Sequence, residues 1–177
     1  MNSVDFLTGL ISGLISGVIS SIVAQLIFKI QKPKLEISDN ILKETVNGVP
    51  EYRFKVVNNS KEYAKNIDIV VQWICVKKTP NGNLITTRPV SLARKDIKFI
   101  NPYNKSDENN TYAVRYRFDC DLEKEWIENN SLEVSIFCEN EQNGCGKMFR
   151  KVYKNPSCII EGSFENGKST RIVPSKK

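Results

Sequence analysis

The sequence predicts a mainly β protein, in which one N-terminal transmembrane helix precedes an antiparallel β-sandwich of about seven or eight strands. Three observations lead to this prediction. The N-terminal segment is apolar and carries no charge over more than twenty residues. Further along, apolar and polar residues alternate with a period of two in several short runs. Turn-forming dipeptides such as Asn143-Gly144 separate these runs.

The transmembrane helix is predicted within residues 1–31. No charged residue lies between Asp5 and Lys29, and the apolar run from Phe6 to Phe28 is long enough to cross the roughly 30 Å hydrocarbon core of a bilayer. A cleaved signal peptide would begin with positive charge and have a shorter apolar run. The helix is therefore expected to stay in the membrane as an anchor.

The charges beside the helix predict its orientation. Lys29, Lys32 and Lys34 follow the apolar run, whereas only Asp5 precedes it. Lysine and arginine close to a membrane favour its cytoplasmic side. We therefore expect a single-pass protein of the cell membrane whose soluble domain is cytoplasmic.

The helix contains a repeat of small residues. Gly-Leu-Ile-Ser, with one Val for Leu, occurs three times between residues 9 and 20. Ridges of small residues let two helix backbones approach closely, and serine hydroxyls can form hydrogen bonds across the contact. The partner is expected to be another copy of the chain or a different membrane protein. The predicted association face consists of Gly9, Ser12, Gly13, Ser16, Gly17, Ser20, Ser21 and Ala24.

The soluble domain is predicted from its alternating runs, which begin at Leu35 and Ile37 after Pro33. One short helix or helical turn is expected between Asp121 and Asn129. The sandwich is assigned to residues 32–162, and residues 163–177 are expected to form a flexible polar tail. The other predicted strands cover 51–57, 66–76, 112–118, 132–138, 147–153 and 158–161.

Three short motifs carry a resemblance to known proteins. Residues 33–37 read Pro-Lys-Leu-Glu-Ile, residues 54–60 read Phe-Lys-Val-Val-Asn-Asn-Ser, and residues 64–67 read Ala-Lys-Asn-Ile. With these motifs after an anchor, the chain resembles bacterial single-pass membrane proteins that carry an immunoglobulin-like β-sandwich domain. The resemblance implies an immunoglobulin-like fold but no defined activity, because such folds host unrelated functions.

The composition disfavours enzymatic chemistry. The chain has no histidine, which removes the usual general base and the Ser-His and Cys-His nucleophile pairs. It has neither a Walker loop nor a GxGxxG motif. The carboxylates at Asp119, Asp121, Glu123, Glu125 and Glu128 are interpreted as a solvated surface rather than an acid–base pair. No catalytic residue, bound metal or cofactor is therefore expected.

The five cysteines are interpreted mainly as reduced thiols in apolar surroundings. Cys75 and Cys138 occupy inward positions of different predicted strands, at a separation compatible with an inter-sheet bridge. Cys145 lies in a predicted hairpin turn and is expected to be exposed. A zinc site formed by Cys120, Cys138, Cys145 and Cys158 would lack the usual ligand spacing.

The net charge of +6 falls entirely within residues 32–177. Arg53 and Lys55 on one predicted strand, and Arg115 and Arg117 on another, occupy outward positions. If these strands are neighbours, the four cations form a candidate basic patch for anionic lipid, an acidic protein or a phosphorylated ligand. The alternative is an ordinary solvated strand face. Nucleic acid is disfavoured, because no densely basic helix or RNP-like aromatic motif occurs.

The sequence thus predicts a membrane-anchored, non-enzymatic interaction or sensing module that self-associates through its helix. Its partners would be the lipid bilayer, a second membrane-spanning chain, and an unknown ligand or protein bound by the β domain. The alternative is a transmembrane effector of a bacterial defence or toxin system. In that case the β domain would sense a ligand, and the clustered helices would disrupt the membrane.

Overall fold

The computed structural model describes residues 3–30 and 32–175, and the side chains of residues 8–27 and 32–175. The chain divides into two compact units, residues 1–32 and 33–177. The first unit contains one long helix, and the second is mainly β. In chain order the elements are α1 (Ser3–Ile30), β1 (Leu35–Ile37), β2 (Ile41–Val46), β3 (Val49–Asn58), β4 (Ala64–Thr79), β5 (Gly82–Pro89), β6 (Phe99–Ile100), β7 (Ala113–Arg117), α2 (Leu122–Glu125), β8 (Asn130–Asn140), β9 (Gly146–Tyr153), a 3₁₀ turn (Pro156–Cys158), β10 (Ile159–Phe164) and β11 (Ile172–Pro174).

The helix α1 contains no proline, and between Asp5 and Lys29 it carries no charged residue. Its segment Thr8–Ile27 is long and apolar enough to cross a membrane, and none of that segment is buried inside the protein. The coarse prediction of one N-terminal apolar helix before a mainly β region is therefore confirmed. The side chains of Asp5 and Lys29, which enter the orientation prediction, lie outside the described residues.

The first sheet has six strands in the described chain, and β3 is its centre. The strand order is β1-β3-β2-β10-β11, and β7 pairs with the opposite side of β3. β2 and β3 form a hairpin whose turn residues, Asn47 and Gly48, have φ of 51° and 80°. This positive-φ pair is the backbone of a two-residue hairpin turn. In contrast, β10 pairs with β2 in parallel.

The second sheet has five strands among the described residues, and β4 is its longest. The strand order is β5-β4-β8-β9, and the short β6 pairs with the start of β4. β4 and β8 pair over most of their length, with one irregularity between Lys65 and Asp68. β5 pairs only with the second half of β4, from Gln72 to Thr79, and lies at an edge of the sheet.

Residues from both sheets build one hydrophobic core. On β3, Tyr52, Phe54 and Val56 form a buried face as predicted, but Lys55 and Val57 on the other face are buried as well. On β4, Trp73 is buried and meets the ring of Trp126 edge to face at 5.0 Å. Inward residues of β8, among them Leu132, Val134 and Ile136, complete the core. Burial of such large apolar side chains is the main stabilising term of the β unit.

Sequence reasoning missed four strands, and two of these had a local signal. β2 ends at Asn47-Gly48, a strong hairpin dipeptide. β5 contains the β-branched run Ile85-Thr86-Thr87 directly after the turn at Asn81-Gly82. β6 has only two residues and β11 has three, so both are too short to show a period-two alternation.

The end of the chain departs from the predicted domain boundary at residue 162. β10 runs to Phe164, and β11 pairs with it antiparallel, Gly162 opposite Pro174. A Cβ on Gly162 would lie 2.0 Å from the carbonyl oxygen of Val173. Only glycine permits this close approach of the two strands. The described part of the predicted tail, residues 163–175, therefore contains paired strand, because β11 and the end of β10 lie within it.

Candidate functional site

The predicted association face of α1 is fully accessible. All of its residues, from Gly9 to Ala24, are exposed. Apart from the neighbouring backbone of its own helix, a Cβ added to Gly9, Gly13 or Gly17 would meet no described atom within 4 Å. All three lie in regular helix without a left-handed φ. No contact or backbone conformation within the described chain therefore requires glycine at these positions.

The serines beside the glycines turn their hydroxyl protons toward their own helix. Ser12 Oγ donates to the carbonyl oxygen of Gly9 at 3.0 Å, and Ser21 Oγ donates to that of Gly17 at 2.8 Å. Ser16 Oγ bonds to the carbonyl of Ser12 in the same way. Because these protons are satisfied inside α1, the face is compatible with an environment that offers no hydrogen bonds.

The strands of the candidate basic patch are neighbours, as its formation requires. In the β3–β7 register, Arg53 lies opposite Arg117 and Lys55 lies opposite Arg115. Two of these cations share one carboxylate: Glu51 pairs with Arg53 and with Arg117, the latter at 2.6 Å. Arg53 also pairs with Glu44 of β2. The two guanidinium groups are therefore largely neutralised by acids on the same sheet.

The charge cluster also sets the pKa of Glu51. Partial burial raises this pKa, but hydrogen bonds and attraction from Arg117 and Arg53 outweigh the burial, so the net shift is downward. The carboxylate separates two guanidinium groups that face each other across adjacent strands. Like charges in that position destabilise a strand pair, so Glu51 has a structural role in joining β3 and β7.

Lys55 is buried, which corrects the prediction that it faces solvent. Only 2% of the residue is exposed, and its Nζ donates to the carbonyl oxygens of Glu165, Gly167 and Ser169 at 2.8, 2.7 and 2.7 Å. The ring of Phe164 lies 5.9 Å from the same nitrogen. All three ammonium protons are used. The chain segment that follows β10 therefore covers this part of the predicted patch.

Burial makes the ammonium of Lys55 easier to deprotonate. Loss of solvation and then repulsion from Arg115 lower the pKa of Lys55 to about 8, while Glu165 and Glu36 oppose the shift. Arg115 itself is exposed on the outer side, with its guanidinium 5.9 Å from the Phe164 ring centre. Of the four predicted cations, only Arg115 and part of Arg117 remain available to a ligand.

The carboxylates near α2 hold structure together. Tyr52 Oη lies 2.9 Å from Asp121 Oδ1 and 3.1 Å from Glu123 Oε2, and burial followed by these two acids raises the pKa of Tyr52. Lys43 pairs with Glu123 at 2.6 Å, and Lys124 pairs with Asp121 at 3.0 Å. The acids thus fasten α2 onto the first sheet.

Most of the charged residues that line a depression of about 390 Å³ beside α2 are already paired. Glu51, Arg117, Asp121 and Lys124 contribute to its lining. Within this lining Glu51 pairs with Arg117, and Asp121 pairs with Lys124. Asp119, an exposed carboxylate outside these pairs, also lines the depression, but a single surface carboxylate does not define a binding site, so we assign none there.

The five cysteines are free thiols in the structure. Cys75 and Cys138 lie on β4 and β8 of the same sheet, which rules out the inter-sheet bridge between them. Cys75 pairs with Asn130, eight residues before Cys138, so roughly 26 Å of strand separates the two thiols. Cys145, which was expected to be exposed, is half-buried.

Burial keeps three thiols protonated. It raises the pKa of Cys120 and Cys158 to about 11 and that of Cys138 to about 12. A thiol rather than a thiolate is a poor nucleophile and metal ligand. No group of three or more His, Cys, Asp and Glu within the described parts of the chain is arranged to hold a metal ion.

Comparison with known proteins adds no family. No protein-family model matches the chain, and no curated protein shows significant similarity to it. Function is therefore inferred from the surfaces of the chain itself. Among them, the Gly/Ser face of α1 gives the best support for a function.

Proposed function

We propose that the protein is a membrane-anchored, non-enzymatic interaction or sensing module. In this proposal α1 crosses the cell membrane once and self-associates through its Gly/Ser face. The β unit is an immunoglobulin-like sandwich that binds a ligand or protein. The observation that supports the proposal most is the set of exposed glycines, Gly9, Gly13 and Gly17, which no contact within the described chain explains.

Glycine in a helix needs a reason. Each glycine in a helix interior costs about 1 kcal/mol relative to alanine in water. Three at spacing of four lie on one face of α1, while bulky residues such as Leu14 and Ile15 lie elsewhere on its circumference. Packing of the backbone of a second helix against these glycines would offset this cost. A second copy of α1 has the matching ridge.

The charge after α1 supports a cytoplasmic β unit. Lys32 and Lys34 are exposed, and Lys29 precedes them in the sequence. These lysines favour the cytoplasmic side of the membrane. The free state of all five cysteines agrees with a reducing compartment.

The side chains of the β unit support a binding role rather than catalysis. The chain has no histidine, three thiols have raised pKa values, and Asp121 and Glu123 near α2 are engaged in ion pairs. A general base or an activated nucleophile requires a side chain with a tuned pKa that can reach a substrate. These groups are not arranged in that way.

Self-association can be measured by energy transfer between two fluorescent fusions of the full chain in bacterial membranes. Gly13→Leu should reduce the association constant at least tenfold, because a leucine side chain separates the two backbones. Ile15→Leu is the matched control, since it keeps volume and lies off the ridge. Wild-type energy transfer should exceed that of a non-interacting membrane protein at equal expression.

Two results would contradict the proposal. One is energy transfer in the wild type no higher than in the non-interacting control. The other is an equal loss in Gly13→Leu and Ile15→Leu. Depolarisation of cells by the wild type, abolished by Gly13→Leu, would instead favour the effector alternative, in which the clustered helices breach the bilayer.

A further inference from the structure

The far end of the β4–β5 hairpin, residues 76–85, extends beyond the core of the β unit. Lys77 to Leu84 form a two-stranded ribbon closed by the turn at Pro80 and Asn81. Every residue from Val76 to Pro89 is exposed. Neither face of this hairpin end is therefore part of the hydrophobic core.

Large apolar side chains lie on both faces of the hairpin end. Val76 is 42% exposed, Leu84 51% and Ile85 64%. Val76 lies opposite Ile85 in the register, so these two share one face, whereas Leu84 shares the other face with Lys77. Soluble proteins seldom cluster exposed apolar residues without a binding role.

The same region is purely cationic. Between Ile69 and Lys95 the chain has five lysines and arginines and no aspartate or glutamate. Arg88 pairs with Glu125, and Arg94 pairs with Asp96. Within the described chain, Lys77 and Lys78 at the hairpin end have no ion pair. Their charges are available to an anionic partner.

We propose that the hairpin end, residues 76–85, inserts into the headgroup region of an anionic lipid bilayer. Lysines that extend toward phosphate, with apolar side chains buried just below it, are typical of interfacial membrane-binding segments. A protein docked on one face of the hairpin end would cover only one of Leu84 and Ile85. A bilayer surrounds the hairpin end and covers both.

This inference rests on the membrane anchoring proposed above, which would hold the β unit close to lipid. It adds a second membrane contact that depends on lipid charge, whereas the anchor depends on apolar length alone. The two can therefore be tested separately in one experiment.

The test uses the full chain in lipid nanodiscs with brominated acyl chains, which quench tryptophan on contact. Ile85→Trp reports on the hairpin end, and Met148→Trp on β9 is the matched control, since the two native side chains are 64% and 63% exposed. The native Trp73 and Trp126 give the same background in both variants. In discs rich in phosphatidylglycerol, the added tryptophan of Ile85→Trp should be quenched at least twofold more than that of Met148→Trp.

Lipid and protein charge provide the second comparison. The excess quenching should disappear in phosphatidylcholine discs and in Ile85→Trp that also carries Lys77→Glu and Lys78→Glu. Equal quenching of the two tryptophan variants would overturn the proposal, and so would excess quenching that is insensitive to lipid charge. Failure of the wild type to enter discs would overturn the anchoring as well, whereas normal entry without excess quenching would overturn only the hairpin contact.

Discussion

The helix α1 and the β unit treat apolar side chains in opposite ways. In the segment Thr8–Ile27 of α1, the bulky apolar residues are each between 48% and 69% exposed. In the β unit, Phe54, Trp73 and Ile136 are fully buried. This contrast agrees with the proposed membrane span of α1, since exposed leucine and isoleucine are stable in lipid but costly in water.

Polar groups follow the same division. In α1, Ser12 and Ser21 satisfy their hydroxyl protons on their own helix. In the β unit, the buried charge of Lys55 is satisfied by three carbonyl groups of a distant chain segment. A helix in lipid must satisfy its polar groups locally, whereas a β domain in water can bring partners together from far apart in sequence.

Removal of a core side chain should give the largest effect. Trp73→Ala is expected to lower the free energy of unfolding of the β unit by about 3–5 kcal/mol, because it leaves a cavity between the sheets. Ile15→Ala on α1 should change it by less than about 0.5 kcal/mol. Chemical denaturation of the full chain in detergent, followed by near-UV circular dichroism, measures both. Equal losses of unfolding free energy in Trp73→Ala and Ile15→Ala would contradict this difference between the two regions.

The buried lysine predicts a specific pH dependence. Lys55 has a pKa of about 8 in the folded protein and about 10.5 when unfolded. Between these values the unfolded chain holds one more proton, so stability rises with pH relative to Lys55→Met. The difference in unfolding free energy should grow by about 2–3 kcal/mol from pH 8 to pH 10.5. A difference that is flat or falls with pH would show that Lys55 stays charged.

The shared carboxylate predicts a smaller effect. Glu51→Gln should destabilise the β unit by about 1–2 kcal/mol at pH 7, because it leaves Arg53 facing Arg117. The pKa of Glu51 is lowered in the folded state, so this contribution is lost as pH falls through that value. Glu128→Gln, at an exposed carboxylate, is the control. Urea titrations at a series of pH values from 7 downward should show the difference between the two variants shrinking only below pH 4.5, the ordinary pKa of a glutamate.

The smallest effect concerns glycine, which the two regions use for different reasons. Gly48 in the β2–β3 turn has φ of 80°, so Gly48→Ala should cost about 1 kcal/mol through backbone strain. Gly17 in α1 has an ordinary helical backbone and open space around it, so Gly17→Ala should leave unfolding of the β unit unchanged. A cost from Gly17→Ala in that assay would mean that α1 packs on the β unit.

Local sequence patterns predicted the parts of the fold that depend on neighbouring residues. The charge-free run gave α1, and period-two alternation gave the buried faces of β3, β4 and β8. The alternation also placed Lys55 correctly on the face opposite Phe54. It could not reveal that the segment 165–169, more than a hundred residues later, lies over that face.

The alternation of apolar and polar residues also does not predict the order of the strands in a sheet. Cys75 and Cys138 both point inward as predicted, but their strands pair in one sheet, so they cannot bridge two sheets. Pairing is decided by long-range packing rather than by the residues of one strand. The strand β5 was missed for a different reason, because its local signal, the β-branched run that contains Ile85 after the turn at Asn81-Gly82, was not recognised.

Retention of α1 in the membrane is the claim on which the rest depends. The direct measurement is extraction of bacterial membranes with alkaline carbonate, followed by N-terminal sequencing of the protein and by protease treatment of intact cells. The account predicts that the protein remains in the membrane pellet, keeps residues 1–31, and has a β unit that external protease cannot reach. Release into the supernatant, or a mature N-terminus after residue 31, would contradict it.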